Sequence, residues 1–301
     1  MVLTNARKKI QIFGRKVGSY KKESLTAFGL KSKNMPFYND LCYKITMCLI
    51  ILAYDAHPLY RLVLAANRDE FFARPTAPAV FWDDDPRILA GRDLKDGGTW
   101  LGITRGGRIA ALTNYRDPNS ERKSAPSRGN LVKSFLQDKR SIEEYLEILK
   151  REGPAYNGFN LIFGDTERFS WFSNRHELPG FLERGVHGLS NHILDTPWPK
   201  VSGGKESLMR IIRENNEIDP EQLLTILANR TVPPDDSLPK TGVGIKLERI
   251  LSPVFISSRD YGTRSSTVIL VDREGFVTFV ERTFNGNPAE PKDKEWRFMI
   301  G

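Results

Sequence analysis

Short aliphatic runs arrive in pairs along this chain, each pair closed by turn residues, and that pattern restricts it to antiparallel sheets. Cys48-Leu-Ile-Ile-Leu-Ala-Tyr54 is followed by a turn at His57-Pro58 and then by Tyr60-Arg-Leu-Val-Leu-Ala-Ala66, the signature of a strand hairpin. Thr99-Trp-Leu-Gly-Ile-Thr104 and Arg108-Ile-Ala-Ala-Leu-Thr113 are joined by Gly106-Gly107, which suits a tight turn needing positive φ. Further strands are expected at Asn160–Phe163 and Phe169–Phe172, then at Val254–Ile256, Ser266–Val271 and Phe276–Val280, the last two turning through Asp272-Arg-Glu-Gly275.

Helical spacing interrupts these hairpins in blocks. It marks Asn130–Leu136, and Ser141-Ile-Glu-Glu144 has the Ser-x-x-Glu form of a capping box ahead of Tyr145–Leu149. A second helical region covers about Lys205 to Asn215, and a third starts at Asp219-Pro220, where Asp caps and Pro fits the first turn. Blocks of hairpins alternating with helix pairs predict an α+β fold of antiparallel sheets with helices layered outside them, not a parallel βαβ sheet. Asn229 to Lys246, with three prolines and two glycines, is expected to be a surface loop.

The sequence pI of about 9.4 suggests nucleic acid until the charge is located. Residues 1–46 carry ten of the 45 basic side chains and two of the 37 acidic ones, and the remaining 35 and 35 cancel. No nucleic-acid partner is therefore expected, since a solvated tail explains the excess. Residues 1–46 show no sustained period and read as an extension outside the fold, a disordered arm or a misassigned start, with a cleaved targeting segment as the competing reading. Residues 47–301 read as a single domain. No apolar run is long enough to span a bilayer, so a protein without a transmembrane segment is expected.

The sequence has two cysteines, Cys42 and Cys48, and four histidines without ligand spacing, so neither a metal nor a cofactor is expected. A Cys42–Cys48 disulfide is conceivable, but two cysteines make no disulfide framework, and a reducing, cytoplasmic setting is the expectation.

Met47-Cys48 carries the chemistry. Were Cys48 the first residue, it would hold a thiol beside a free α-amine whose ordinary pKa, near 7.7 to 8.0, makes it a local base at neutral pH. The plainer reading is a small buried residue opening an edge strand. Asn67-Arg68-Asp69-Glu70 comes directly after the second aliphatic run, which hairpin geometry returns toward residue 48. A guanidinium there favours thiolate and a carboxylate orients the amine; a solvated charged turn is the alternative. Gly97-Gly98-Thr99-Trp100 lacks the spacing of a phosphate loop and reads as close backbone approach near a cleft, with Trp100 as core or pocket wall.

These blocks together resemble one family. Met47-Cys48-Leu-Ile, Ala66-Asn67-Arg68-Asp69-Glu70, Gly91-Arg92-Asp93, Gly97–Gly102, Ala111-Leu-Thr-Asn114 and Gly188-Leu-Ser-Asn191 are similar to the ordered blocks of the NRDE proteins, also called the transport and Golgi organisation family. That family resembles the N-terminal-nucleophile hydrolases, including acylases that cleave penicillin V and conjugated bile salts. The resemblance implies a four-layer αββα sandwich and a hydrolase of non-peptide amide bonds. It implies Cys48 as nucleophile, Arg68 and Asp69 in support, Asn114 and Asn191 as oxyanion donors, and Arg264 as the late arginine. A well-formed oxyanion donor is worth about 3 kcal/mol, though Asn at a strand end is equally a turn residue. The ligand would be a small-molecule amide or an amphipathic molecule; the alternative function is non-enzymatic handling of haem, lipid or acyl-CoA in the same cleft.

Overall fold

The computed structural model describes residues 47–176, 179–284 and 288–301. The expectations for residues 1–46, and Cys42 with them, lie outside the described residues.

Among the described residues, thirteen strands form two antiparallel sheets. The six-stranded sheet runs β10 (Gly185–Leu189), β1 (Cys48–Tyr54), β2 (Tyr60–Phe71), β11 (Tyr261–Asp272), β12 (Phe276–Thr283), β13 (Lys292–Met299). The seven-stranded sheet runs in sequence order: β3 (Thr76–Phe81), β4 (Ile88–Asp93), β5 (Leu101–Thr104), β6 (Ile109–Asn114), β7 (Phe159–Gly164), β8 (Phe169–Ser173), β9 (Gly180–Phe181).

Period-two alternation assigns each face. In β1, Leu49, Ile51 and Ala53 join Val201, Leu208, Leu223 and Leu227 under a layer of helices: α3 (Pro199–Glu214), α4 (Pro220–Leu227) and α5 (Ile245–Leu251). Ile50, Leu52 and Tyr54 point the other way, into a core shared with Leu101, Ile103 and Ala111 of the second sheet. The far face of that sheet is covered by α1 (Gly129–Gln137) and α2 (Ile142–Glu152) through Leu131, Phe135, Tyr145 and Phe163. The result is a four-layer αββα sandwich with three apolar cores, as expected.

Local expectations held where the chemistry was local. Ser141 and Glu144 form the reciprocal capping box, and Asp219 caps α4. Gly107 turns at φ 80°. Others need correction. Val254–Ile256 is not a strand: Phe255 N–H bonds to Asn229 O and Ile256 N–H to the Thr263 hydroxyl, so its backbone is satisfied outside any ladder. The 229–246 loop contains a 3₁₀ turn, Asp235–Ser237, and leads directly into α5. The helix expected from Lys205 starts at Pro199, because Pro at the first turn is a start signal.

Candidate active site

Asn67-Arg68-Asp69-Glu70 lies inside β2, not in a turn after it, since the strand continues to Phe71. Alternation then divides the four side chains between two layers. Asn67 turns toward the helices, where its amide donates to Leu227 O and Val254 O at 2.9 Å each and its Oδ1 accepts from the Ser266 hydroxyl at 2.6 Å. Asp69 follows it to that side and is buried. Arg68 and Glu70 face between the sheets, 3.7 Å apart, and Glu70 also reaches Arg74 at 3.7 Å.

The hairpin register places Cys48 directly opposite Arg68. One residue further along β2, Asp69 N–H donates to Met47 O at 3.1 Å. Asp69 Oδ1 accepts from the Thr263 hydroxyl at 2.6 Å, while its buried Oδ2 has no partner among the described residues. On the other flank of β1, Cys48 N–H donates to Asn191 Oδ1 at 3.4 Å and the Ser190 hydroxyl to Cys48 O at 2.9 Å. Asn191 Nδ2 donates to Asn114 O at 2.9 Å, which ties the end of β6 to the residue that holds the Cys48 N–H.

Cys48, Arg68, Asp69 and Asn191 are thus brought together, with Asn114 linked to them through its carbonyl. Arg264 is placed differently. It falls on a bulge in β11 between Thr263 and Ser265, and its Nη1 donates to Phe71 O, Phe72 O and Arg74 O at 2.9, 3.2 and 3.1 Å. It holds the chain leaving β2 and forms cleft wall.

The cleft itself has a volume of about 850 Å³, and its lining includes Cys48, Arg68, Trp100, Asn114, Arg128 and Arg264. The glycine-rich segment just before its lining residues Thr99 and Trp100 is a close approach: a Cβ on Gly98 would meet Gly129 C at 2.6 Å. Trp100 is half-buried at this wall and packs against the inter-sheet core.

Burial, then the Asp69 charge, push the Cys48 thiol up to about 12, against an opposing pull from Arg68. Asp69 is raised by burial, partly offset by Lys200, the Thr263 hydrogen bond and Arg68. With Met47 attached, the sulfur is a protonated thiol and its neighbouring nitrogen is a non-basic amide.

Several groups escaped the sequence reading because they come from distant segments. Tyr261 accepts Met47 N–H at 2.6 Å. Arg116 pairs with Glu248 at 2.6 Å in near-complete enclosure, and Lys200 is buried with its Nζ donating to Leu251 O at 3.0 Å. Arg128, beside the cleft, pairs with Glu121 at 3.2 Å and donates to Gly158 O at 2.9 Å. Among the described residues no cluster of three His, Cys, Asp or Glu could hold a metal ion, and no helix is long and apolar enough to cross a membrane.

Two facing antiparallel sheets between helix layers, with Cys48 at the start of a central hairpin and in the lining of a cleft, define a four-layer αββα sandwich protein. Residues 47–286 match the family described as Transport and Golgi organisation 2, and the chain belongs to that family. The Transport and Golgi organization protein 2 homolog of Bos taurus is 42% identical over 265 residues, 80% of this chain and 94% of that one. The Homo sapiens homolog is 40% identical over 258 residues, 79% and 93% of the two chains. The Drosophila melanogaster protein of that name is 32% identical over 268 residues, 80% and 93%. Among solved structures, a mutant conjugated bile acid hydrolase from Clostridium perfringens aligns with a TM-score of 0.46 at 11% identity, covering 85% of this chain and 97% of that one.

Proposed function

We propose that the protein is an N-terminal-cysteine hydrolase of non-peptide C–N amide bonds in small molecules, latent until the chain begins at Cys48. The observation that carries this reading is the register of β1 on β2, which sets Arg68 opposite Cys48 and bonds Asp69 N–H to the residue that must leave.

Loss of Met47 turns the Cys48 amide into an α-amine, already faced by Asn191 Oδ1 at 3.4 Å. The amine takes the thiol proton, the thiolate attacks the substrate carbonyl, and Arg68 stabilises the sulfur's charge. The tetrahedral oxyanion collapses to a thioester as the protonated amine leaves, and water then releases the acid. Asn114, on the cleft wall at the end of β6, is the side chain offered to the oxyanion. In this arrangement Asn191 serves the nucleophile's nitrogen, and Arg264 keeps the cleft wall in place.

The thiol's position near 12 in the intact chain fits a latent site, since a thiol held that high is no nucleophile at neutral pH. The deciding experiment compares the wild type with Cys48→Ala in an acyl-amide hydrolysis panel, alongside intact-mass measurement of the N-terminus. Turnover that requires both Cys48 and a chain starting there supports the reading. Saturable binding of haem or acyl-CoA by both proteins, with turnover by neither, would instead make the cleft a carrier's pocket.

A further inference from the structure

One row of residues crosses the floor of the cleft. Cys48 on β1 stands opposite Arg68 on β2, Arg68 opposite Ser265 on β11, Ser265 opposite Thr283 on β12, and Thr283 opposite Lys292 at the start of β13. Directly opposed residues share a face of a sheet, here the face turned to the second sheet, and all five line the cleft. Four strand spacings separate the cysteine from the lysine, about 19 Å.

Period two sorts the charges of β13 in the same way. Lys292 and Lys294 share the parity of Trp296 and Phe298, which pack on the inter-sheet core, and both lysines line the cleft. Asp293 and Glu295 have the opposite parity. Asp293 pairs with Arg282, itself held by Glu221 of α4, and Glu295 pairs with Arg297. The acids of this strand are therefore neutralised on the outer face, whereas among the described residues neither lysine makes an ion pair. The carboxylate opposite Lys294 is Glu281, which is buried and accepts Ala79 N–H of β3 at 2.6 Å. Lys292 has only the Thr283 hydroxyl group opposite it.

Lysines on an edge strand keep other strands from pairing with it, but that role does not require both of them on the cleft face. The floor between them and Cys48 is polar, through Arg68, Ser265 and Thr283, while Ala77, Pro78 and Trp100 add apolar lining from the other sheet. Resting on the amidohydrolase reading, we propose that the substrate is an elongated amphipathic amide lying across the strands, with its scissile bond at Cys48 and an anionic group, carboxylate or phosphate, at its far end on Lys292 and Lys294.

The test is calorimetric binding to the full chain carrying Cys48→Ala, which leaves the probe intact. The probe is the monoamide of a long α,ω-dicarboxylic acid, with about 19 Å between amide and carboxylate. At low ionic strength it should bind about fivefold tighter than its hydroxyl-ended counterpart, and about 1 M salt should erase the difference. A phosphate-ended counterpart shows which anion the lysines prefer. Lys292→Met should remove most of the preference. Lys292→Glu with Lys294→Glu should reverse it in favour of an amine-ended amide, a result that loss of structure cannot give. Equal binding of the hydroxyl-ended amide and both anion-ended ones overturns the proposal, as does a preference for the anion that survives the double substitution. A half-length acid amide should show no preference; one as large as that of the long probe would put the anion elsewhere in the cleft and overturn the proposal too. Binding needs no turnover, so an acid-ended amide that binds as expected but is not cleaved by a chain beginning at Cys48 sinks the amidohydrolase reading alone.

Discussion

Thr263 and Asp69 stand opposite each other on β11 and β2, and the threonine hydroxyl donates to Asp69 Oδ1 at 2.6 Å while accepting Ile256 N–H at 3.0 Å. One hydroxyl therefore fixes the carboxylate and pins the 252–257 segment across the strand end. Thr263→Val keeps the shape and removes both bonds. It should cost about 3 kcal/mol at pH 8, the sum of a charged and a neutral buried hydrogen bond, read from urea unfolding. At pH 4 the carboxyl is largely protonated and the loss should shrink. An equal loss at both pH values would mean the hydroxyl does not serve the ionised form.

The Arg116–Glu248 pair makes a sharper test of enclosure. Glu248 also accepts from Thr241 N–H and its hydroxyl, at 3.1 and 2.6 Å, so it joins α5 and the preceding loop to Arg116, whose Nη2 lies 2.9 Å from Met47 Sδ. Glu248→Gln leaves a buried guanidinium without its counter-charge and should cost about 3 kcal/mol or more. The double variant Arg116→Met with Glu248→Leu should recover most of that, because neither charge is then stranded. A double variant as unstable as the single one would show that the pair is held by geometry and not by charge balance.

How far the sequence disclosed this site depended on the range of each interaction. The return of the Asn67–Glu70 cluster toward Cys48 was legible because two aliphatic runs joined by a short turn form a hairpin, whereas the register that sets Arg68 opposite Cys48 came from the fold. The layers were legible because aliphatic runs at period two and helical patterns at period 3.6 report on burial directly. The division of Asn67-Arg68-Asp69-Glu70 between two faces was hidden by its polarity, which looks like a turn until the neighbouring strand β11 is known to pair along it. Lys200, Glu248 and Tyr261 are more than 130 residues from Cys48, in segments with no catalytic pattern. β13 was missed because its Lys292-Asp-Lys-Glu295 start is charged, though Trp296 and Phe298 pack on the inter-sheet core. Lone sequence patterns do not carry such contacts; only the fold does.

Gly97 and Gly98, which lead into the cleft-lining Thr99 and Trp100, should respond differently to a methyl group. Gly98 has backbone of Gly129 at 2.6 Å from where its Cβ would stand, whereas Gly97 faces open space at φ 72°. Gly98→Ala must push β5 away from the start of α1 and should cost about 2 kcal/mol or more by overpacking. Gly97→Ala bears only the left-handed backbone, about 1 kcal/mol. The order of the two midpoints in one denaturant titration checks this; Gly97→Ala being the worse would place the constraint in the turn and not in the approach.

His187 offers a pH-dependent contribution next to the Ser190-Asn191 segment that holds Cys48. Its Nδ1 lies 2.8 Å from Asp195 Oδ2 and its Nε2 2.9 Å from Glu183 O. Both partners are acceptors, so the doubly protonated ring is the form that satisfies both contacts. The Asp195 hydrogen bond, against burial, raises the His187 pKa, while Lys205 on the same carboxylate opposes it. A raised folded value means that the stabilisation is complete below the unfolded value of about 6.5 and disappears as pH climbs through the folded one. Wild type should therefore exceed His187→Gln by about 1.5 kcal/mol at pH 6, and the gap should narrow steadily toward pH 9 in urea unfolding. A gap that stays constant across that range would mean the ring is neutral in the folded protein, with one of its two contacts not a hydrogen bond.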